Sequence, residues 1–210
     1  MHIEIWSDVA CPFSYLGDEY LRRALADFEH RSDVLVGVRS FELEPQASRD
    51  PQPMIPILAA KYRTSEAQMA EAQVEIATKA AEVGLPFDAG QVLVSNTLDA
   101  HRLIHLGSDH GMADQVRRRL MEAQFGGGVS MSDHDTIATL AIETGLPEHR
   151  VYEVLRSDEY LDAVREDERL AGELGVTGIP YFLFDEKYAV AGAQPIEFFQ
   201  QVLGQVWAER

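Results

Sequence analysis

One residue in the chain is a ready nucleophile, and its neighbours decide what it can do. Cys11 stands directly before Pro12, in the run Ser7-Asp8-Val9-Ala10-Cys11-Pro12-Phe13-Ser14. Proline fits the first turn of a helix, where its missing N–H is not needed. Cys11 is therefore expected at a helix N-terminus, where unpaired N–H groups and the helix dipole favour an anion. A free thiol titrates near about 8.5, and such a position lowers that value. The expected consequence is a thiolate-rich Cys11 that alkylates quickly at pH 6. The competing reading is an inert buried cysteine, the usual state of a lone thiol. Ser14 falls one helical turn on, close enough to hydrogen-bond the sulfur, or it is an ordinary first-turn serine. A second punctuation, Gly175-Val176-Thr177-Gly178-Ile179-Pro180, precedes an aromatic run. Ile179-Pro180 suits either a cis bond in a tight turn or a trans loop.

Other groups are weaker candidates. His101 and His105 are four apart on an expected helix and share a face. They would need a third ligand to hold a metal, and polar packing is the alternative, so no metal site is assigned. Arg117-Arg118-Arg119 is the one dense cationic run. Consecutive helical residues fan around the axis, so a solvated face is expected rather than a single anion seat. Glu42, placed near the thiol and partly buried, would be a proton acceptor with a raised pKa. Trp6, Phe13, Tyr15, Tyr181 and Phe182 could line an apolar groove at Cys11, with Phe13 and Tyr15 the best candidates.

The elements that must position these residues follow from periodicity. His2 to Trp6 alternates as a strand. Phe13, Leu16, Tyr20, Leu21, Ala24 and Phe28 recur at helical spacing, and Val34 to Phe41 alternates again. This strand–helix–strand unit implies parallel pairing. Pro45, Pro51, Pro53 and Pro56 then predict a loop up to about Ser65. Helices follow: from a Ser65/Gln68 capping box to Gly84, from Asn96 or Thr97 to Gly111, from Met112 to Gly126, from Ser132 to Gly145, from Pro147, and from a Ser157 cap to Gly175. Tyr181 to Phe184 and Tyr188 to Val190 form an antiparallel pair, and Pro195 opens a last helix. The order is β-α-β, a helical block, then β-β-α. We expect an α/β domain from residues 1–45 and 176–210 with an all-helical insertion, residues 46–175.

Composition narrows the function. In 210 residues, 18 Lys and Arg face 35 Asp and Glu, a net charge of −17. Nucleic acid and anionic membrane surfaces are poor partners for such a chain. With one cysteine, an internal disulfide framework and a cysteine zinc cluster are excluded. The first residues lack the basic start and apolar run of a signal peptide, and no stretch approaches the ~20 apolar residues of a membrane span. A cytoplasmic location, with Cys11 reduced, is the expectation.

Taken together, the Cys11-Pro12-Phe13-Ser14 motif and the segment from Gly175 to Pro180 resemble the thioredoxin superfamily. The helical insertion makes the chain resemble its DsbA-like members, and more narrowly the FrnE-like branch. The similarity runs through Phe41-Glu42-Leu43-Glu44-Pro45, Asn96-Thr97, Ala100-His101-Arg102-Leu103 and Gly192-Ala193-Gln194-Pro195, nearly the whole chain in register. It implies a thioredoxin fold (β-α-β then β-β-α). It also implies that Cys11 attacks, that Pro180 is a cis-proline beside it, and that the Ile179 backbone receives a peptide or small thiol. Pro12, Phe13, Tyr15 and His101 are then expected near the substrate.

The departure from the family pattern is chemical. Cys-x-x-Cys becomes Cys-x-x-Ser, and no second cysteine exists to resolve a mixed disulfide. Transfer of an intramolecular disulfide is excluded for the monomer. Monothiol exchange remains: Cys11 attacks a disulfide-bearing substrate, and glutathione, mycothiol or another small thiol releases it. No cofactor is expected to be tightly bound. The same region also resembles kappa-class glutathione transferases and 2-hydroxychromene-2-carboxylate isomerases, which carry Ser-Pro-x-Ser there. A glutathione-dependent transferase or isomerase is the alternative, and a non-catalytic peptide-binding module a second one. A homodimer is compatible with the sequence.

Overall fold

A computed structural model describes residues 1–210. Its central sheet has four strands in the order β2-β1-β5-β6. Strand β1 (His2–Ser7) lies parallel to β2 (Leu35–Ser40), joined by helix α1 (Pro12–Ala26). On its other side β1 pairs antiparallel with β5 (Tyr181–Phe184), which pairs antiparallel with β6 (Tyr188–Ala191). The fold is thus the expected thioredoxin arrangement, with long helical sequence between β2 and β5.

The period-two pattern of β1 sets the layers. Ile3 and Ile5 are buried under Leu21, Ala24 and Leu25 of α1 and under Phe199, Leu203 and Val206 of the terminal helix α9 (Ile196–Ala208). Trp6 projects to the opposite face. There it packs with Leu183 and with Ala171 of helix α8 (Leu161–Glu173). Its indole N–H donates to the Asp167 carbonyl at 3.0 Å. The Asp167 carboxylate accepts from the Ser40 amide at 2.9 Å and from Arg39 at 3.0 Å, which fastens α8 to β2.

The intervening helices are α2 (Met54–Tyr62), α3 (Glu66–Glu82), α4 (Leu98–Asp109), α5 (Ala113–Gly126), α6 (His134–Glu143) and α7 (Glu148–Leu155). Strands β3 (Gln52–Pro53) and β4 (Leu93–Val94) form a two-residue antiparallel clip beside them. Leu103, Val116, Leu120, Ile137 and Val151 build the core shared by α4 to α7, and Val9 and Tyr15 reach into it from either side of Cys11, while Ile76 and Ala80 of α3 pack with Leu16 of α1. The Ser65/Gln68 capping box forms as expected. Two starts shift. Helix α6 is capped by Asp133, whose carboxylate accepts from the Asp135 and Thr136 amides. Helix α8 begins after Tyr160, while the Ser157 hydroxyl accepts from Glu159 in the preceding turn.

The proline-rich loop is shorter than expected. Pro53 is the N-cap of α2 and Pro56 lies in its first turn. First-turn N–H groups have no intrahelical acceptor, so a proline there costs little and these residues start a helix instead of preventing one. The Met54 amide donates to the Val92 carbonyl at 3.0 Å, tying this start to β4.

Candidate active site

Strand β1 delivers the thiol. After Ser7 the chain turns, and the Cys11 amide donates to the Asp8 carbonyl at 3.1 Å. Cys11 is the N-cap residue of α1 in extended geometry, with Pro12 opening the helix. Across from it Ile179-Pro180 is a cis peptide. The Cys11 Sγ–H points to the Ile179 carbonyl at 3.9 Å. The Gly192 amide donates to the Pro180 carbonyl at 2.8 Å and anchors that loop to β6. Gly17 permits the close approach. A Cβ there would stand 2.9 Å from Pro180 Cγ and 3.2 Å from Phe182 Cζ.

Burial opposes the activation expected from the position of the thiol. Cys11 is only 4% exposed. Burial pushes its pKa up, and the neighbouring Asp8 carboxylate adds to that; the Ser14 hydroxyl and amide pull it partly back. Desolvating a sulfur anion outweighs a single helix terminus here. Rapid alkylation at pH 6 is therefore not supported. Ser14 itself is fully buried, and its hydroxyl has no hydrogen-bond partner beyond its approach to the Cys11 sulfur.

Asp8 is the residue that pattern reading missed. It is buried and accepts from the Leu43 amide at 2.7 Å and the Ala10 amide at 3.1 Å. His101 Nε2 approaches its Oδ1 at 3.5 Å, long for a hydrogen bond, and has no other partner. Burial pushes the Asp8 carboxyl up, but His101 and the two amides outweigh it, leaving the value below the ordinary one. Glu42 continues the line. It is buried, accepts from Arg165 at 2.6 Å, and is raised by burial despite that arginine. A carboxylate two residues past a strand end was visible in the sequence, but its partners come from distant segments.

Cys11, Pro12 and Phe13 line a cavity of about 240 Å³. Asp8 also lines it, and most of the remaining wall comes from the helical block, including Met54, Leu58, Ile76 and Gln124. Phe13 is 48% exposed at the mouth. Tyr15 does not join the groove. It is buried, stacked on Phe125 at 5.1 Å, and holds α1 to α5. His101 stands behind Asp8 rather than in the cavity wall. His105 faces elsewhere, with Nε2 3.2 Å from both Asp167 and Ser40.

The arginine run departs from the expected solvated face. Arg117 is 1% exposed and sits between Asp18 of α1 and Asp114, the latter at 2.8 Å. Arg118 and Arg119 point outward, toward Glu19 and Glu143. The fan of consecutive residues explains the split: one arginine faces the α1–α5 interface and two do not.

The family profile of the DSBA-like thioredoxin domain matches residues 2–204. The chain belongs to the DsbA-like thioredoxin family. This is a family of thiol oxidoreductases. The DsbA-like chain superposes on a probable DsbA oxidoreductase of Streptomyces coelicolor with a TM-score of 0.96 and 40% identity, covering 100% of this chain and 91% of that one. It also shares its fold with a 2-hydroxychromene-2-carboxylate isomerase, at TM-score 0.76 and 16% identity, over 100% and 97% of the two chains. The cytosolic disulfide reductase DsbM of Pseudomonas aeruginosa, in a structure with GSH, matches at TM-score 0.68 and 15% identity, over 99% and 100%. No helix of this chain is long and apolar enough to cross a membrane.

Proposed function

We propose that the protein is a monothiol thiol–disulfide oxidoreductase acting in a reducing cytoplasm. The observation that carries this reading is the placement of the sole cysteine. Its sulfur opens on an enclosed cavity and faces the Ile179 carbonyl of the cis-proline loop. Cys11 loses its proton and attacks one sulfur of a disulfide, R–S–S–R. A Cys11–S–S–R bond forms, the R–S–S–R bond breaks, and the released RS⁻ takes up the proton. A second small thiol then attacks the mixed disulfide and frees Cys11. The incoming group occupies that cavity, whose wall includes Phe13 but not Ile179 or Pro180. Incubation with bis(2-hydroxyethyl) disulfide, read by intact mass, should add one hydroxyethylthio group on Cys11 and none in Cys11→Ser. Absence of any adduct on the native protein would sink the proposal.

A second reading has a specific observation behind it. A thiol kept protonated by burial donates to a neighbour more readily than it attacks. Cys11 would then orient a bound thiol cosubstrate, as a transferase or isomerase of the kappa type requires. In that case turnover of an electrophile with glutathione survives Cys11→Ser. Loss of all turnover in that variant, with exchange intact in the native protein, excludes it.

A further inference from the structure

We propose that the cavity beside Cys11 selects an uncharged small thiol or disulfide bearing hydroxyl or amide N–H donors, and discriminates against carboxylate-bearing ones such as glutathione. This rests on reading Cys11 as the exchange thiol.

Charge is the first observation. The charged residues lining the cavity are Asp8, Glu44 and Lys61. Lys61 Nζ is already paired with the Glu44 carboxylate. An adjoining cleft of about 410 Å³ shares Glu44 and Lys61 and adds Asp50. A ligand reaching Cys11 therefore meets three carboxylates and one ammonium, and that ammonium is occupied. Glutathione carries two carboxylates at neutral pH. Seating either on Lys61 places it beside Glu44 or displaces Glu44, and each outcome sets like charges next to one another, which interfaces avoid.

Unpaired acceptors are the second, independent observation. Gln124 and Gln73 both line the cavity and are both buried. Gln124 Nε2 donates to the Leu93 carbonyl at 2.7 Å, which fixes the opposite end as oxygen. That Oε1 has no partner. Gln73 Nε2 meets only the Met69 sulfur at 3.6 Å, and its Oε1 is also without a partner. A buried acceptor left unpaired is costly, and a ligand hydroxyl or N–H relieves the cost. An ionised carboxylate has no proton to offer. The unpaired acceptors favour ligands that carry donors, the charges disfavour those that carry carboxylates, and Met54, Leu58 and Ile76 receive the apolar remainder.

The test compares second-order rates of adduct formation on Cys11, each divided by the rate of the same disulfide with 2-mercaptoethanol. The probes are oxidised glutathione, its glycyl monoethyl ester, bis(2-hydroxyethyl) disulfide and diethyl disulfide. Esterification removes one charge at nearly constant size and should accelerate the normalised reaction about tenfold. Glu44→Gln should shrink that gap. Gln73→Leu should slow the hydroxyethyl probe several-fold more than the diethyl probe. Oxidised glutathione reacting as fast as its ester overturns the proposal, as does equal slowing of both neutral probes in Gln73→Leu. If no disulfide modifies Cys11, the exchange reading itself fails, and this selectivity falls with it.

Discussion

Gly17 is the point at which α1 and the Pro180 loop come closest, and replacing it by alanine measures how tightly the site is closed. An added Cβ would lie 2.9 Å from Pro180 Cγ, 3.2 Å from Phe182 Cζ and 3.3 Å from Ala193 Cα. Carbon atoms prefer separations of about 3.5–4.0 Å, so the helix must withdraw by several tenths of an ångström. The neighbours cannot give way easily. Pro180 is tied to Gly192, and Phe182 is fully buried against Phe199. Overpacking of this kind costs about 1–3 kcal/mol. Glycine to alanine inside a helix returns up to ~1 kcal/mol. The net loss is then about 0–2 kcal/mol, which lowers Tm by up to roughly 8 °C for a chain of this size. Gly172 supplies the internal control, because a Cβ there meets nothing within 4 Å. Gly172→Ala should stabilise by about 0.5–1 kcal/mol. Urea unfolding of both variants separates the two contributions. If Gly17→Ala proves as stabilising as Gly172→Ala, the close contact between α1 and the proline loop is wrong.

Alkylation of Cys11 by iodoacetamide should be slow at neutral pH and still rising beyond the ordinary thiol value of about 8.5, because burial holds the proton on. A plateau near pH 7 contradicts this. Asp8→Asn removes a negative charge that raises the thiol. The alkylation profile should move to lower pH, although not to the ordinary value, since burial persists; an upward shift counts against the assignment. Arg117→Met leaves Asp18 buried without its cation and should cost about 3–5 kcal/mol. Burial already holds the Asp18 carboxyl above its ordinary value, and loss of Arg117 raises it further. The variant then keeps its proton over a pH range in which native Asp18 has lost it, so the deficit grows as pH rises past the native Asp18 value, itself above about 4, and shrinks in acid. Urea midpoints that show a constant deficit between pH 5 and pH 8 argue against a buried, unpaired carboxylate.

Local chemistry was legible wherever one stretch of chain contains both the signal and its consequence. Cys11-Pro12 announced the helix start, Ser65 and Gln68 their capping box, and the strand–helix–strand order of β1, α1 and β2 the parallel pair. What escaped depends on residues brought together from afar. Asp8 meets His101, and Glu42 meets Arg165, across spans that no local pattern records. Tyr15 looked like a groove residue because it follows Cys11 closely, yet helical rotation turns it onto Phe125. The activation of Cys11 was inferred from its helix terminus alone. The opposing desolvation comes from the burial of the thiol in the folded chain. The cavity was equally invisible, since most of its wall belongs to segments chosen for packing rather than chemistry.

The distance along the chain between Cys11 and Ile179 has a consequence for synthesis. The two residues are 168 positions apart, and the strand that completes the sheet beside β1 follows Ile179 immediately. At ~5–20 residues per second the ribosome needs roughly 10–30 s to bridge that gap. During that interval Cys11 has neither its carbonyl neighbour nor the finished sheet to shield it. The nascent chain thus carries an open thiol until Ile179 and the strand after it have been made. Oxidants that the finished cavity would turn away can reach the sulfur while translation is still under way.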